Sequence, residues 1–415
     1  MVPAAALLVI SAVAALPAAY SGPWARFALP AGPLRSFATS RSTDLTVAWR
    51  DRLEAIAKLP QSAVLLAEPA AAYELAGLTG RQVVAVPFSH TPHQVEVRDG
   101  PRRRADALDA MQGRLDPMAL AGVLEHYTVT AVIVDMDRTD PGAWAQLADA
   151  EILTTIASGD RWRLYRYDPE KLDGFLDLPT AEAPGPELQR GGAGPQIAVA
   201  GRAVFARLEW NQRNPSQARL EAKGIETTGR FSRQVMVGAE PTETLALPIP
   251  LDAPVDGYTL NLVLGNGRTL PVGQFEVGRL FQAEDLGGVV PGGSASWTTV
   301  DGPAYQGGLA AIAVNTGSTT HQSTPPIDPG AYCVAARVHD DGSGQRDSIE
   351  ASIGGASAQL AWSGPVAGMR TVRAPLTLGS RSGQLAMRLV QRGQAAAIVD
   401  SLEIYPLVVG ACGAD

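Results

Sequence analysis

The chain has 415 residues, 18 % of them charged, and a formal net charge of −8 at pH 7. That length holds more than one hydrophobic core, and 43 Gly with 31 Pro make it turn-rich without a collagen-like or disordered composition. The acidic balance excludes a general nucleic-acid binder, whose phosphate contacts need a basic surface. Two cysteines, Cys333 and Cys412, are too few for a Cys-rich zinc site. They can pair if the carboxy-terminal tail folds back on the strand holding Cys333.

Met1 to Gly22 contains no charged residue, and the first is Arg26. The run is about the length that crosses the bilayer hydrocarbon, roughly 20 residues. Three readings compete: an anchor helix, a signal peptide without the usual basic start, or the last membrane helix of a longer protein. All three place the rest outside the cytoplasm, and the expected location is the cell membrane, single-pass, with extracytoplasmic domains.

After a Pro/Gly-rich connector, residues 44–170 read as an α/β domain. "DLTVAWRDRLEAIAKLP" has apolar residues at helical spacing and ends at Pro60. "SAVLLAE" is a short strand, "PAAAYELAGLTG" a helix closed by Gly80, and "RQVVAVPF" a strand over 81–88. Two helices follow, the second capped by Asp116 with Pro117 in its first turn. "VTAVIVDMD" is a buried strand, "DPGAWAQLADAE" a helix, and "ILTTIASGDRWRLYRYD" a closing hairpin. Alternating strands and helices predict a small, mostly parallel sheet. Residues 171–195 have no periodicity and read as a linker. Short alternating strands over 196–280 predict a β-sandwich. A second all-β stretch over 281–408, with about eight strands, suits a jelly roll.

"VLLAEPAAAYELAGLTGRQVVAVPFSH", "RRRADALDAM" and "LAGVLEHYTVTAVIVD" together resemble the soluble segment after the last membrane helix in bacterial GT-C-type polytopic glycosyltransferases of the mannosyltransferase-like group. Leu78-Thr79-Gly80-Arg81 matches that pattern's turn and His90 its loop. "RLEW" and "ETLALPIPLDAPVDGYTLNLVL" are similar to the sandwich that often ends such proteins, so the likeness covers roughly 60–280. "FQAEDLGG" and "VDSLEIYPL" resemble the opening and final strands of jelly-roll carbohydrate-binding modules, in which an opening Glu and a late Asp help hold a structural calcium. The matching positions are Glu284 and Asp400, and carboxylate oxygens suit that hard cation.

The resemblance implies an extracytoplasmic, substrate-positioning part of a membrane glycosyltransferase in cell-envelope glycan assembly. The acidic catalytic residues of such enzymes lie in an early loop between membrane helices, so this chain is expected to lack the chemistry itself. Expected partners are a glycan or lipid-linked sugar, the membrane and a polytopic core, with no nucleic acid. Two rivals stand beside this reading: a free-standing anchored carbohydrate-binding protein, and a secreted glycoside hydrolase.

The candidate contacts follow, each with its plainer alternative. His90 and His93 sit in a loop after a strand, where α/β sheets place ligand loops, or are ordinary loop histidines. Arg103, between Arg102 and Arg104, suits a lipid-linked phosphate, or is part of a solvated helix start. Arg81 offers a cation to substrate, or complements a helix end or a carboxylate. Asp135 and Asp137 end an apolar strand without a phosphate-binding loop nearby. Trp297, Tyr305 and Trp362 are candidates for a sugar-stacking platform, or are core aromatics. "SIEASIGG" reads as a strand whose polar residues, Ser348 and Glu350 among them, face solvent, and "GNGRTL" as a hairpin turn.

Overall fold

The computed structural model describes residues 43–87, 90, 99–182, 187–286, 289, 297–301, 305, 309–313, 315–393, 396–407 and 412. The expected membrane helix over 1–22 and the loop residue His93 lie outside these. Among the described residues no helix is long and apolar enough to cross a membrane. The chain divides into two compact units. One runs through Ala107 and adds Val129–Ala148 and Leu153–Tyr167. The other comprises Leu108–Thr128, Asp149–Ile152 and everything from Asp168 on.

The elements up to the first hairpin are α1 (Thr43–Ala57), β1 (Val64–Leu66), α2 (Pro69–Thr79), β2 (Gln82–Val83), α3 (Gly100–Met111), α4 (Pro117–His126), β3 (Ala131–Asp135), α5 (Pro141–Asp149), β4 (Leu153–Gly159) and β5 (Trp162–Tyr167). Local chemistry sets the helix ends. The Glu68 carboxylate accepts from the amides of Ala70 (3.1 Å) and Ala71 (3.0 Å), which start α2. Gly80 ends it in the left-handed region at φ 65°. Asp116 caps α4 through the Ala119 amide at 2.7 Å.

The first unit holds one sheet in the order β2-β1-β3-β5-β4. It is mixed, where the sequence predicts a mostly parallel one. β1 pairs in parallel with β2 and β3, but β5 returns antiparallel beside β3 and pairs antiparallel with β4. The closing hairpin is the reason, because its two strands run opposite ways and β5 is the one that pairs with β3. β2 is two residues long instead of the run 81–88, and Pro87, which has no amide donor, stands within the remainder. Ile56, Leu65, Leu75, Ile133, Trp162 and Leu164 form its core.

The second unit continues with a 3₁₀ turn at Pro169–Lys171, α6 (Leu172–Phe175), β6 (Ala181–Glu182), β7 (Leu188–Gly194), β8 (Ile197–Val199), β9 (Ala203–Trp210), β10 (Ser216–Gly224), β11 (Arg230–Val237), β12 (Thr242–Pro248), β13 (Asp256–Leu264) and β14 (Thr269–Gln282). β12-β9-β7-β6 form one layer, and β11-β10-β13-β14 the other. Leu188, Val204, Ala206 and Leu208 from the first pack with Leu220, Tyr258, Leu260 and Phe275 from the second. α4 packs on β9 and β12 in this same unit. β7 falls where the sequence predicts linker. "LQRGGAG" lacks β-branched residues, but its glycines let two backbones approach. A Cβ on Gly192 would stand 1.9 Å from the Pro179 carbonyl oxygen.

The remaining strands are β15 (Trp297–Asp301), β16 (Leu309–Ala313), β17 (Thr319–Ile327), β18 (Gly330–Asp341), β19 (Asp347–Ile353), β20 (Ala356–Trp362), β21 (Ala367–Leu378), β22 (Ser382–Gln391) and β23 (Ala397–Pro406). They form a jelly-roll-like sandwich. One layer places β18 and β21 on one edge of β23, with β16 and the end of β14 on the other. The opposing layer is β17-β22-β19-β20. Between them lie Trp297, Val334, Val338, Ile349, Leu360, Leu385, Met387, Val399 and Ile404. Each sandwich also pins a strand with a buried tyrosine bonded four residues upstream. Tyr258 donates to the Pro254 carbonyl (3.1 Å) and Tyr332 to that of Asp328 (2.8 Å).

β14 serves both sandwiches. Its residues 269–277 pair with β13, and 279–282 pair with β23. At the changeover Arg279, 6 % exposed, donates to the Pro325 carbonyl at 2.7 Å and the Ala253 carbonyl at 3.1 Å. Cys333 and Cys412 are disulfide-bonded, with Cα atoms 5.5 Å apart and a sequence separation of 79.

Two stability measurements check this description. Arg279→Met leaves two buried carbonyls without their charged donor and is expected to cost about 3 kcal/mol in urea unfolding. Cys412→Ser releases a long loop of the unfolded chain from its cross-link and is expected to cost on the order of 4 kcal/mol. The same loss should follow reduction of the wild type.

Candidate functional site

The outer face of β17-β22-β19-β20 is a four-strand surface of hydrogen-bonding side chains. Alternation along each strand creates it. On β22, Leu385, Met387 and Leu389 turn inward while Gln384 and Arg388 are exposed, and on β20 Ala358 and Leu360 turn inward while Ser357 and Gln359 are exposed. Register then aligns the outward residues. Thr319 faces Arg388, Arg388 faces Glu350 and Glu350 faces Gln359, which makes one polar row across all four strands. The neighbouring row is His321, Ala386, Ser352 and Ser357, with small side chains at its centre. Arg388 Nη2 lies 3.3 Å from Glu350 Oε1, with both side chains partly open to water. Glu350 is on the solvent face as the sequence predicts. Ser348 is not. It is fully buried, because the β19–β22 register shifts between Ser348 and Ile349 and breaks the alternation.

The aromatic residues expected to form a platform lie elsewhere. Trp297 is 0 % exposed, Trp362 4 % and Tyr305 8 %. Both tryptophans belong to the core of the second sandwich, so neither offers an open face to a pyranose ring. The Trp362 partner across the β19–β20 pair is Asp347, whose carboxyl is pushed up by burial and held by the Gly393 amide at 2.6 Å.

The candidate contacts of the first unit are occupied by structure. Arg81 is 8 % exposed. It donates to the carbonyls of Leu59 (2.7 Å) and Ala57 (3.4 Å) and to Gln61, so it complements the end of α1 rather than its own helix. Arg103 holds Asp99 at 2.9 Å and Arg102 holds Asp106 at 3.0 Å, each across one helical turn. The His90 ring lies 4.1 Å from that of Tyr73. Asp135 is paired with Arg52 at 2.8 Å, and Asp137 with Arg161.

Two clefts open in the second unit. One of about 460 Å³ is lined by Met118, Phe175, Leu176, Ile197 and Val199, and its Asp116 is already committed to capping α4. The other, about 580 Å³, runs along β11 and β12. Its polar groups satisfy one another: Arg233 with Glu125 (2.7 Å), Thr244 with Asp173 (3.0 Å), and Glu243 with the amides of Gly238 to Glu240.

The carboxylates expected to share a calcium are Glu284 and Asp400. Asp400 is fully buried on β23, with Arg337 Nη1 3.2 Å from its Oδ2. Glu284 follows β14 in a 3₁₀ turn, and its Oε2 is sealed without a partner. Burial, with Asp285, Asp400 and Asp109 nearby, pushes the Glu284 carboxyl up to about 9. Among the described residues no three His, Cys, Asp or Glu side chains stand together as a metal site.

No protein-family model matches the sequence, and no curated protein does. Solved structures of carbohydrate-binding modules are similar to part of it. The carboxy-terminal CBM6 of the laminarinase LamC from Zobellia galactanivorans is 15 % identical over 31 % of this chain and 98 % of its own, with a TM-score of 0.25. CsCBM6-3 from Clostridium stercorarium, solved with cellobiose, is 18 % identical over 31 % of this chain and 92 % of its own, with a TM-score of 0.24. The CBM36-1 domain of a multidomain xylanase from the hindgut metagenome of Trinervitermes trinervoides is 16 % identical over 32 % and 99 %, with a TM-score of 0.24.

The raised Glu284 carboxyl gives a pH prediction. The folded state holds this proton more tightly than the unfolded state, so its contribution falls as pH rises from the ordinary carboxylate range through about 9. Glu284→Gln is expected to flatten that decline in the melting midpoint. An equal slope in both proteins would show that Glu284 is ionised throughout.

Proposed function

We propose that the jelly roll of residues 281–408 binds glycan on the outer face of β17-β22-β19-β20. The observation that carries this is the row Thr319–Arg388–Glu350–Gln359, which spans four strands without interruption. A carboxylate accepts from two neighbouring hydroxyls and a guanidinium donates to two, so a vicinal diol matches either group of the Arg388–Glu350 pair. The flanking Ala386 and Ser352 are small enough for a ring to lie against the sheet. The sequence likeness of "FQAEDLGG" and "VDSLEIYPL" to carbohydrate-binding modules supports the same assignment.

The finer reading sets this module in an extracytoplasmic, substrate-positioning part of a membrane glycosyltransferase, with Met1–Gly22 in the bilayer and a polytopic core as partner. Its support is the sequence resemblance over roughly 60–280, Leu78-Thr79-Gly80-Arg81 included. In this reading the α/β domain is a scaffold, since Arg81 and Arg103 are committed to internal contacts. The chain alone is expected not to turn over a lipid-linked sugar.

A glycan array probed with the full chain tests the binding site. Arg388→Ala and Glu350→Ala are each expected to weaken retention at least tenfold while the melting midpoint stays put, because an exposed ion pair contributes only about 0–1 kcal/mol. Retention unchanged in both variants, or no glycan retained by the wild type, would remove this face as the site.

A further inference from the structure

Asp400 occupies an unusual place in the sheet. Between β18 and β23 the pairing runs Arg337 with Ser401 and then Val338 with Val399, so Asp400 is the residue that the register skips. A bulge of this kind re-aims the extra side chain. Here the carboxylate is completely buried. An ionised carboxylate out of water costs several kcal/mol unless positive charge compensates it.

Arg337 supplies that charge, with its Nη1 3.2 Å from Asp400 Oδ2. A second buried pair sits at the turn between α3 and α4. Arg114 is fixed there by Asp109, through Nη1 to Oδ1 at 3.2 Å and through its amide to the Asp109 carbonyl at 3.0 Å. The Arg114 and Asp109 side chains are 11 % and 3 % exposed. Asp109 with Arg114 and Asp400 with Arg337 are thus two buried ion pairs.

The same carboxylate is the one expected to hold calcium. That ion takes six to eight oxygens, and a guanidinium already facing the carboxylate adds like charge against it. We propose that Arg337 does the work of a structural cation at Asp400. It neutralises the buried carboxylate of the jelly roll, which folds without calcium. The inference is independent of the glycan reading, since a metal-free module binds or ignores sugar on its opposite layer equally well.

The test uses the purified full chain, stripped of metal and then melted with millimolar calcium or with EGTA. Wild-type midpoints are expected to coincide, and equilibrium dialysis with radioactive calcium to leave no ion bound. Arg337→Gln is expected to melt well below the wild type in either buffer. A midpoint that drops in EGTA, about one calcium retained per chain, or an Arg337→Gln variant as stable as the wild type would each overturn the proposal. If that variant does not fold, the two wild-type measurements decide it.

Discussion

The second unit depends on one strand continuing through two cores. β14 contributes Leu270, Val272, Phe275 and Val277 to the first sandwich and Phe281 to the second. Where its partners change, the Gly278 carbonyl accepts from the Ala200 amide at 3.0 Å. Arg279 beside it joins the two sandwiches, because its two donors reach a carbonyl of each. Arginine suits the position better than lysine. Its planar fork donates in two directions at once and stays charged when buried. Slippage of β14 by one residue would exchange its inward and outward sets in both sandwiches together, so each core holds the register of the other.

The buried charges follow one pattern. Asp400 with Arg337, Asp109 with Arg114 and Asp340 with Arg370 each join a nearly sealed carboxylate to a more exposed guanidinium. The carboxylate bears the desolvation and the arginine keeps an edge in water, which lowers the cost of the pair relative to burying both ions. Such pairs bind neighbouring segments with directional contacts that an apolar patch lacks. They also consume the cations a phosphate site would need. Arg102 and Arg103 make this concrete: two members of a basic triplet that looks like an anion site in sequence pair with Asp106 on the same helix and Asp99 just before it.

What the sequence discloses depends on whether the signal is local. Gly80, Asp116 and Pro117 mark helix ends because capping is settled within one turn. The strands of the jelly roll show themselves through alternation, which a half-buried sheet imposes. β7 and β17 stay hidden for opposite reasons. "LQRGGAG" is held as a strand by backbones that approach its glycines, and nothing in the segment itself records that approach. "TTHQSTPPI" carries two prolines, which read as a strand's exclusion, yet β17 lies at the edge of its layer, where a missing donor does no harm. Ser348 and Asp400 escape prediction because a register shift overrides alternation, and register is a property of two strands. The aromatics mislead likewise. Trp297 and Trp362 have the residue type of a sugar platform, but a sandwich with few aromatic residues uses its largest side chains to fill the interior.

That use of the tryptophans determines what kind of binding the exposed layer can support. Stacking against an aromatic face combines apolar burial with dispersion. A face of Arg388, Glu350, Gln359, Thr319 and His321 offers hydrogen bonds that must first be taken from water. The net gain per bond is about 0.5–1.5 kcal/mol, so several must form together before a ring is held. Two parallel rows on a sheet meet that requirement better than a loop would, since the backbone is already ordered and only side-chain rotamer entropy remains to be lost. Binding of this type is selective for hydroxyl geometry and weak for a single sugar unit. Contacts repeated along a polymer, or a second module tethered nearby, would raise its strength through effective concentration. On the proposed reading, such a face is better suited to holding a long glycan in place than to capturing a free monosaccharide.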